Sequence, residues 1–287
     1  MRSIQTRPPG RVFIFILALL LFACRNEEPA PLPAGSSRVV SLAPNITEMI
    51  YAVGARQKLV GTDNFSDYPA SAKSLPKVGG TQPNVEKIIS LKPDLVMAST
   101  SSVPPGLESS LRAAKIPLVW IKTDRLADVP GAMALVGAHL GVLDVPVHVA
   151  RLRDAINQQK RTRAHPPRVL FAVWTNPLYV AGRNTFVGDL LEHCGATNAV
   201  TVSGWPQYSL ESLLANPPDV ILYPNLSVTP RAMQELLDAA PGLRDRVRVV
   251  AVEENVFVRP GPRVVTAARQ LNGILDAGRQ TADSGQP

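Results

Sequence analysis

The 287-residue chain is 45% hydrophobic and 18% charged, which supplies apolar material for one large core or two smaller ones and excludes disorder over most of its length. Glycine shows no triplet period and there are only two cysteines, so neither a collagen-like chain nor a disulfide scaffold fits. Of the net charge of +7, three units belong to Arg2, Arg7 and Arg11; the remaining 27 basic against 23 acidic residues are too even a balance to point to nucleic acid.

Those three arginines precede an unbroken apolar run, Val12 to Ala23. The run is too short for a membrane span, which needs about 20 residues, and a basic start followed by a short apolar core predicts a secretory signal over residues 1–23. Leu21-Phe22-Ala23-Cys24 resembles the bacterial lipobox, which implies acylation of Cys24 and a lipid-anchored protein in the periplasm or at the cell surface. Residues 24–37 are polar and proline-rich and read as a disordered tether. The other cysteine, Cys194, falls on an apolar helical pattern and is expected to be a buried, inert thiol outside any disulfide.

From Arg38 onward short β-rich runs alternate with helical patterns, as in a parallel sheet covered on both faces. Arg38 to Leu42 reads as a strand. Asn45 to Glu48 has the form of a capping box, with Asn45 as cap and Glu48 at the third helical position. Met49, Ile50 and Val53 continue an apolar face, and Gly54 ends the helix. Asp94 to Ala98 and Leu118 to Ile121 are further strands. The segment from Asn84-Val85-Glu86 to Asp94-Leu95-Val96 lines up with Ser209-Leu210-Glu211 to Asp219-Val220-Ile221 at a constant offset of 125. Each copy has a capping residue, a glutamate in the first turn, a short amphipathic helix, Pro-Asp and a strand. Glu48-Met49-Ile50 through Gly54-Ala55 matches Asp189-Leu190-Leu191 through Gly195-Ala196 at an offset of 141. The second copy therefore carries an insertion, assigned to the turn-rich Asn176 to Thr185. Two matches in the same order imply two related lobes, and the long period excludes a solenoid.

The lobes are placed at residues 38–143 and 165–280, with a tail at 281–287. Between them, residues 144–164 read as one helix. Asp144 suits a cap and Pro146 a first turn; Val149, Leu152 and Ile156 make a narrow apolar stripe, while Arg151, Arg153, Lys160, Arg161 and Arg163 face solvent. Such a helix spans roughly 25–30 Å and is stiffer than a loop, so little lobe motion is expected. The predicted fold is α/β: two related lobes, each a mostly parallel sheet flanked by helices, joined by one long interlobe helix.

In parallel α/β sheets ligands bind beyond the carboxyl ends of the strands. Two facing lobes would put those loops on both walls of a cleft. Of the 15 aromatic residues, Tyr68, Trp174, Tyr179, Trp205 and Phe257 fall in such loops. Flat aromatic faces with a few polar anchors suit a large planar or macrocyclic ligand. Trp174 and Phe257 fit the end of a core strand equally well, whereas Tyr68 and Trp205 stand beside proline in polar turns, where exposure is expected. Arg259 and Arg263 follow a strand, and Arg259 is the stronger candidate to meet an anionic group. No nucleophile elbow, zinc-protease motif, P-loop or dinucleotide fingerprint is present. His139, His148, His165 and His193 are scattered over helices and a linker, and no metal site is expected from them. An α/β enzyme acting on a tetrapyrrole or a sugar is the competing class; it predicts an ionisable pair in the cleft and turnover.

Arg38-Val-Val-Ser-Leu-Ala-Pro-Asn-Ile-Thr-Glu, Ser66-Asp67-Tyr68-Pro69, Asn84-Val-Glu-Lys-Ile-Ile-Ser-Leu-Lys-Pro-Asp and Phe186-Val-Gly-Asp-Leu-Leu resemble the helical-backbone periplasmic binding proteins of ABC importers for cobalamin, haem and iron siderophores. Within that superfamily the chain is most similar to the cobalamin-binding branch. The resemblance implies a corrinoid bound between the lobes by Pro44, Tyr68, Tyr179, Trp205, Phe257 and Arg259, with haem or a ferric siderophore as the alternative ligand. Two positions depart from the branch. A second cleft tryptophan has no counterpart at Gly80 or Thr81, and Asn255 stands in place of an acid. The repeated Glu86 and Glu211 would dock to arginines of a dimeric permease with its cytoplasmic ATPase. The resemblance further implies a monomer without enzymatic activity, cofactor or nucleic-acid partner, held to the membrane by its lipid.

Overall fold

The computed structural model describes residues 35–101, 104–244 and 246–283. The expected signal segment, the lipidation candidate Cys24 and the first part of the tether lie outside the described residues, as do the last four of the tail. The packed chain begins ahead of Arg38. The amides of Gly35 and Ser36 donate to the His139 carbonyl, and the Asp94 carboxylate accepts from the amide and hydroxyl of Ser37.

The elements alternate as the sequence predicts. They are β1 (Val39–Ser41), α1 (Pro44–Ala52), β2 (Leu59–Thr62), α2 (Val85–Ser90), β3 (Leu95–Ser99), α3 (Leu107–Ala113), β4 (Leu118–Ile121), α4 (Asp128–His139) and α5 (Val145–Gln158). There follow β5 (Arg168–Thr175), β6 (Leu178–Val180), α6 (Phe186–His193), β7 (Thr197–Asn198), α7 (Leu210–Ala215), β8 (Val220–Pro224), α8 (Pro230–Asp238), β9 (Arg248–Val252), α9 (Glu254–Phe257) and α10 (Val264–Asp283).

The sheets duplicate one another. The first runs β2-β1-β3-β4 and the second β7-β5-β8-β9, every pair parallel. The second adds β6, antiparallel to β5, so the inserted segment folds back as a hairpin on the end of its own strand. The offset of 125 is realised residue for residue: α2 and α7 start at Val85 and Leu210, and β3 and β8 at Leu95 and Val220. Asn84 Oδ1 accepts from the Lys87 amide and Ser209 Oγ from the Ser212 amide, each satisfying an otherwise orphaned donor of the first turn. Gly54 and Gly195, the matched stops after α1 and α6, both have φ +74, a conformation that costs little without a side chain.

Alternation along the strands sorts the core. Val39, Leu95, Met97, Val169, Phe171 and Leu222 face one shared cluster, to which α1, α4, α5, α6 and α10 contribute. Val40 and Val96 face a separate cluster under α2 and α3, and Leu170 and Ile221 one under α7 and α8. The two lobes are thus welded by one continuous apolar cluster. Val145, Val149, Leu152 and Ile156 of α5 are all buried in it, each contributing roughly 1.5–3 kcal/mol. The backbone of α4 comes close at Gly137, where a Cβ would lie 2.2 Å from a Val145 methyl.

Two local expectations are corrected. Arg163 does not face solvent. It is buried, donates to the Cys194 carbonyl and Asn272, and pairs with Asp276 on α10. Asn45 and Glu48 form no capping box, because α1 starts at Pro44 and Ala43 caps it without a side-chain bond. Both side chains are drawn away into contacts with the other lobe.

Candidate functional site

The loop after β2 is held from within. The Asp63 carboxylate accepts from the Phe65 amide at 2.7 Å and the Ser66 hydroxyl at 2.5 Å, and the Ser66 and Thr47 hydroxyls are 2.8 Å apart. Lys77 Nζ donates to the Ser66 carbonyl at 2.6 Å. Burial pushes the Asp63 carboxyl above its usual range, against the opposing hydrogen bond from Ser66. This turn sends Phe65 and Tyr68 outward, 54% and 48% exposed. Pro44, half-buried, opens α1 beside them in the sequence of strand-end loops. Nothing in the local spacing around Phe65 distinguishes it from its loop neighbours. Its ring rests on Gly80, where a Cβ would be 3.2 Å from two ring carbons. The bare backbone at position 80 was the available signal.

Against this loop lies the segment between α9 and α10. Arg259 Nη1 donates to Asp67 Oδ1 at 2.6 Å and to Glu48 Oε1 at 3.4 Å, and its Nη2 to the Phe65 carbonyl at 3.2 Å. Arg263 grips Glu48 through Nε at 2.9 Å and Nη2 at 2.6 Å, and its guanidinium lies 4.3 Å from the Tyr68 ring centre. Asn255 Nδ2 donates to Asp67 at 3.2 Å, and Asn45 Nδ2 to the Pro260 carbonyl at 3.3 Å. Burial raises the Asp67 carboxyl, but the bonded Arg259 guanidinium outweighs it and holds the group below its ordinary value. Arg259 and Arg263 thus face Glu48 and Asp67, and Arg259 is not a free cation awaiting an anion.

A second aromatic group stands on the inserted hairpin. Trp174 pairs with Tyr179 across β5 and β6, and Trp174 Nε1 donates to the Asn176 carbonyl at 3.0 Å. The Trp205 loop is stitched to the hairpin: Val180 donates to the Pro206 carbonyl and Tyr208 to that of Leu178. Trp174, Tyr179 and Trp205 are 50%, 39% and 50% exposed, far more than their apolar area would favour without a partner. Phe257, expected in the cleft, is corrected. It is 1% exposed and packs in the shared core, because α9 turns its apolar side inward. Glu86 and Glu211 are both exposed, in the first turns of α2 and α7. Backbone and Ser209 hydrogen bonds lower the Glu211 carboxyl. Cys194 is a free, fully buried thiol that burial raises to about 12. Among the described residues, no group of three or more His, Cys, Asp or Glu could hold a metal ion.

The model for the family described as "Periplasmic binding protein" matches residues 39–246. The vitamin B12-binding protein of Pectobacterium atrosepticum is 33% identical over 245 residues, covering 82% of this chain and 86% of the relative. The solved periplasmic vitamin B12 binding protein BtuF of Vibrio cholerae superposes with a TM-score of 0.69 at 28% identity, over 86% of this chain and 99% of that one. The periplasmic heme-binding protein RhuT of Roseiflexus sp. RS-1, in apo form, gives 0.72 at 29% identity, over 83% and 97%.

Proposed function

Because the chain belongs to the periplasmic binding protein family, we propose that it captures a corrinoid of the cobalamin type between its lobes and delivers it to the permease of an ABC importer. The observation that carries this reading is the set of half-exposed aromatic side chains at the carboxyl ends of strands in the two duplicated sheets: Tyr68 and Trp205 on the loops after β2 and β7, and Trp174 and Tyr179 on the β5–β6 hairpin. A flat macrocycle offers each ring a face, and burying such rings is worth far more to a ligand than the few polar anchors beside them. Pro44 and Phe65 would complete the apolar lining, while Arg259, already compensated by Asp67, would offer a polar edge rather than a free charge. The identity to vitamin B12-binding relatives supports this ligand class. A haem is the second reading, favoured by the comparable similarity to a heme-binding protein.

Delivery would use the matched tips of the lobes. Glu86 and Glu211 recur at one place in both copies, and each has an exposed aliphatic neighbour three residues on, Ile89 and Leu214. Two like patches on two like lobes suit a partner that is itself two-fold, with basic residues facing each acid. Acylation of Cys24 would hold this monomer at the membrane in the periplasm or at the cell surface, and its role would be capture without turnover. The test is the visible spectrum of the purified protein after incubation with cyanocobalamin and, separately, with haemin. A corrin band that co-elutes supports the proposal; a haem band alone replaces it with the second reading, and a colourless protein in both overturns both.

A further inference from the structure

The acids that correspond in the two copies, Glu48 and Asp189, do the same thing in opposite directions. Glu48 on α1 is gripped by Arg263, which immediately precedes α10, the last helix of the other lobe. Asp189 on α6 is gripped by Arg125, which lies just before α4, the helix after the last strand of the first lobe. Both grips are two-pronged, at 2.9 and 2.6 Å for Arg263 and at 2.7 and 2.6 Å for Arg125. Each acid also takes a further donor from across the seam: Arg259 for Glu48, and the Leu126 amide at 3.0 Å for Asp189. The Glu48 side chain is 2% exposed and that of Asp189 14%, so solvent screens neither fully. A bidentate guanidinium–carboxylate pair constrains orientation as well as distance, and two of them related by the internal duplication oppose rotation in both senses.

We infer that Glu48 and Asp189 are positioning residues: with Arg263 and Arg125 they form two reciprocal clamps that fix the angle between the lobes and hence the width of the ligand cleft. The inference rests on the proposed capture between the lobes for its consequence, though not for its geometry. Glu48 also orders Arg263 over Tyr68, so the first clamp reaches the ligand wall directly.

The test places spin labels on the two lobes at Ser90→Cys and Asn216→Cys, with Cys24→Ser, and measures the interlobe distance distribution. Asp189→Asn and Glu48→Gln are each expected to broaden it. Cyanocobalamin affinity is expected to fall about fivefold through faster release. The exchanged pair Arg125→Asp with Asp189→Arg, at the more exposed clamp, is expected to recover the narrow distribution. Unchanged distributions in both single variants would overturn the inference. So would an exchanged pair that melts like the parent protein yet stays as broad as Asp189→Asn. If the parent protein takes up no cyanocobalamin, the ligand reading falls while the distance measurement still decides the clamps.

Discussion

Trp205 is the residue on which the ligand proposal bears most sharply, because it is half exposed beside Pro206 and fixed in place by the hairpin it is stitched to. Trp205→Ala should weaken cyanocobalamin binding by about fivefold, the scale of one stacked aromatic at about 1 kcal/mol; a titration curve identical to the parent's would remove Trp205 from the site. Cys194 offers the opposite case. With no exposed surface and a thiol raised to about 12, it presents neither access nor thiolate. Peptide mapping after maleimide treatment should find it unlabelled in the native protein and labelled in denaturant; labelling under native conditions would contradict the packing. Asn45 and Glu48 show how residue-scale reading goes astray. Their types and spacing fit a capping box, but both are buried and bonded across the seam. The local rule failed where a tertiary contact offered these side chains better partners.

At the scale of elements, the duplicated helices α2 and α7 have only six residues each, too few to persist alone. Their capping bonds therefore matter more than in a long helix. Asn84→Ala and Ser209→Ala should each cost about 1 kcal/mol in denaturant unfolding, and equal losses are expected because the two caps make the same bond in the same place. A cap whose removal left the midpoint unmoved would show that the helix is held by its core residue, Ile88 or Leu213, alone. The inserted hairpin was legible as an excess of turn residues between Asn176 and Thr185. That β6 would fold back on β5, and so raise Trp174 and Tyr179 into view, depended on pairing within the sheet.

For the whole molecule, charge couples the lobes to pH. Asp67 has a carboxyl held below its ordinary value by Arg259. The stability this group contributes is present in full above its unfolded pKa and is lost as pH falls through the lower folded one. The thermal midpoint should thus drop as pH is lowered below about 4, and Asp67→Asn should make that drop shallower; an equal drop in the variant would assign it to other carboxylates. The proposed delivery would likewise depend on both lobes together. Glu86→Ala combined with Glu211→Ala should depress corrinoid uptake by cells while affinity in solution stays at the parent value. Undiminished uptake would leave the two glutamates as helix-start residues only.

The amino-acid order alone determined the α/β class, the duplication, the spine from Val145 and the exposed rings at Tyr68 and Trp205, because hydrophobic period, turn chemistry and repetition are local quantities carried along the chain. Only the folded molecule decided that Phe257 turns inward while Phe65 turns outward over Gly80, that Arg163 is anchored to α10, and that Glu48 and Asp189 clasp arginines far away in sequence. Those outcomes depend on which surfaces from distant segments meet and exclude water, and no spacing within a single segment encodes them.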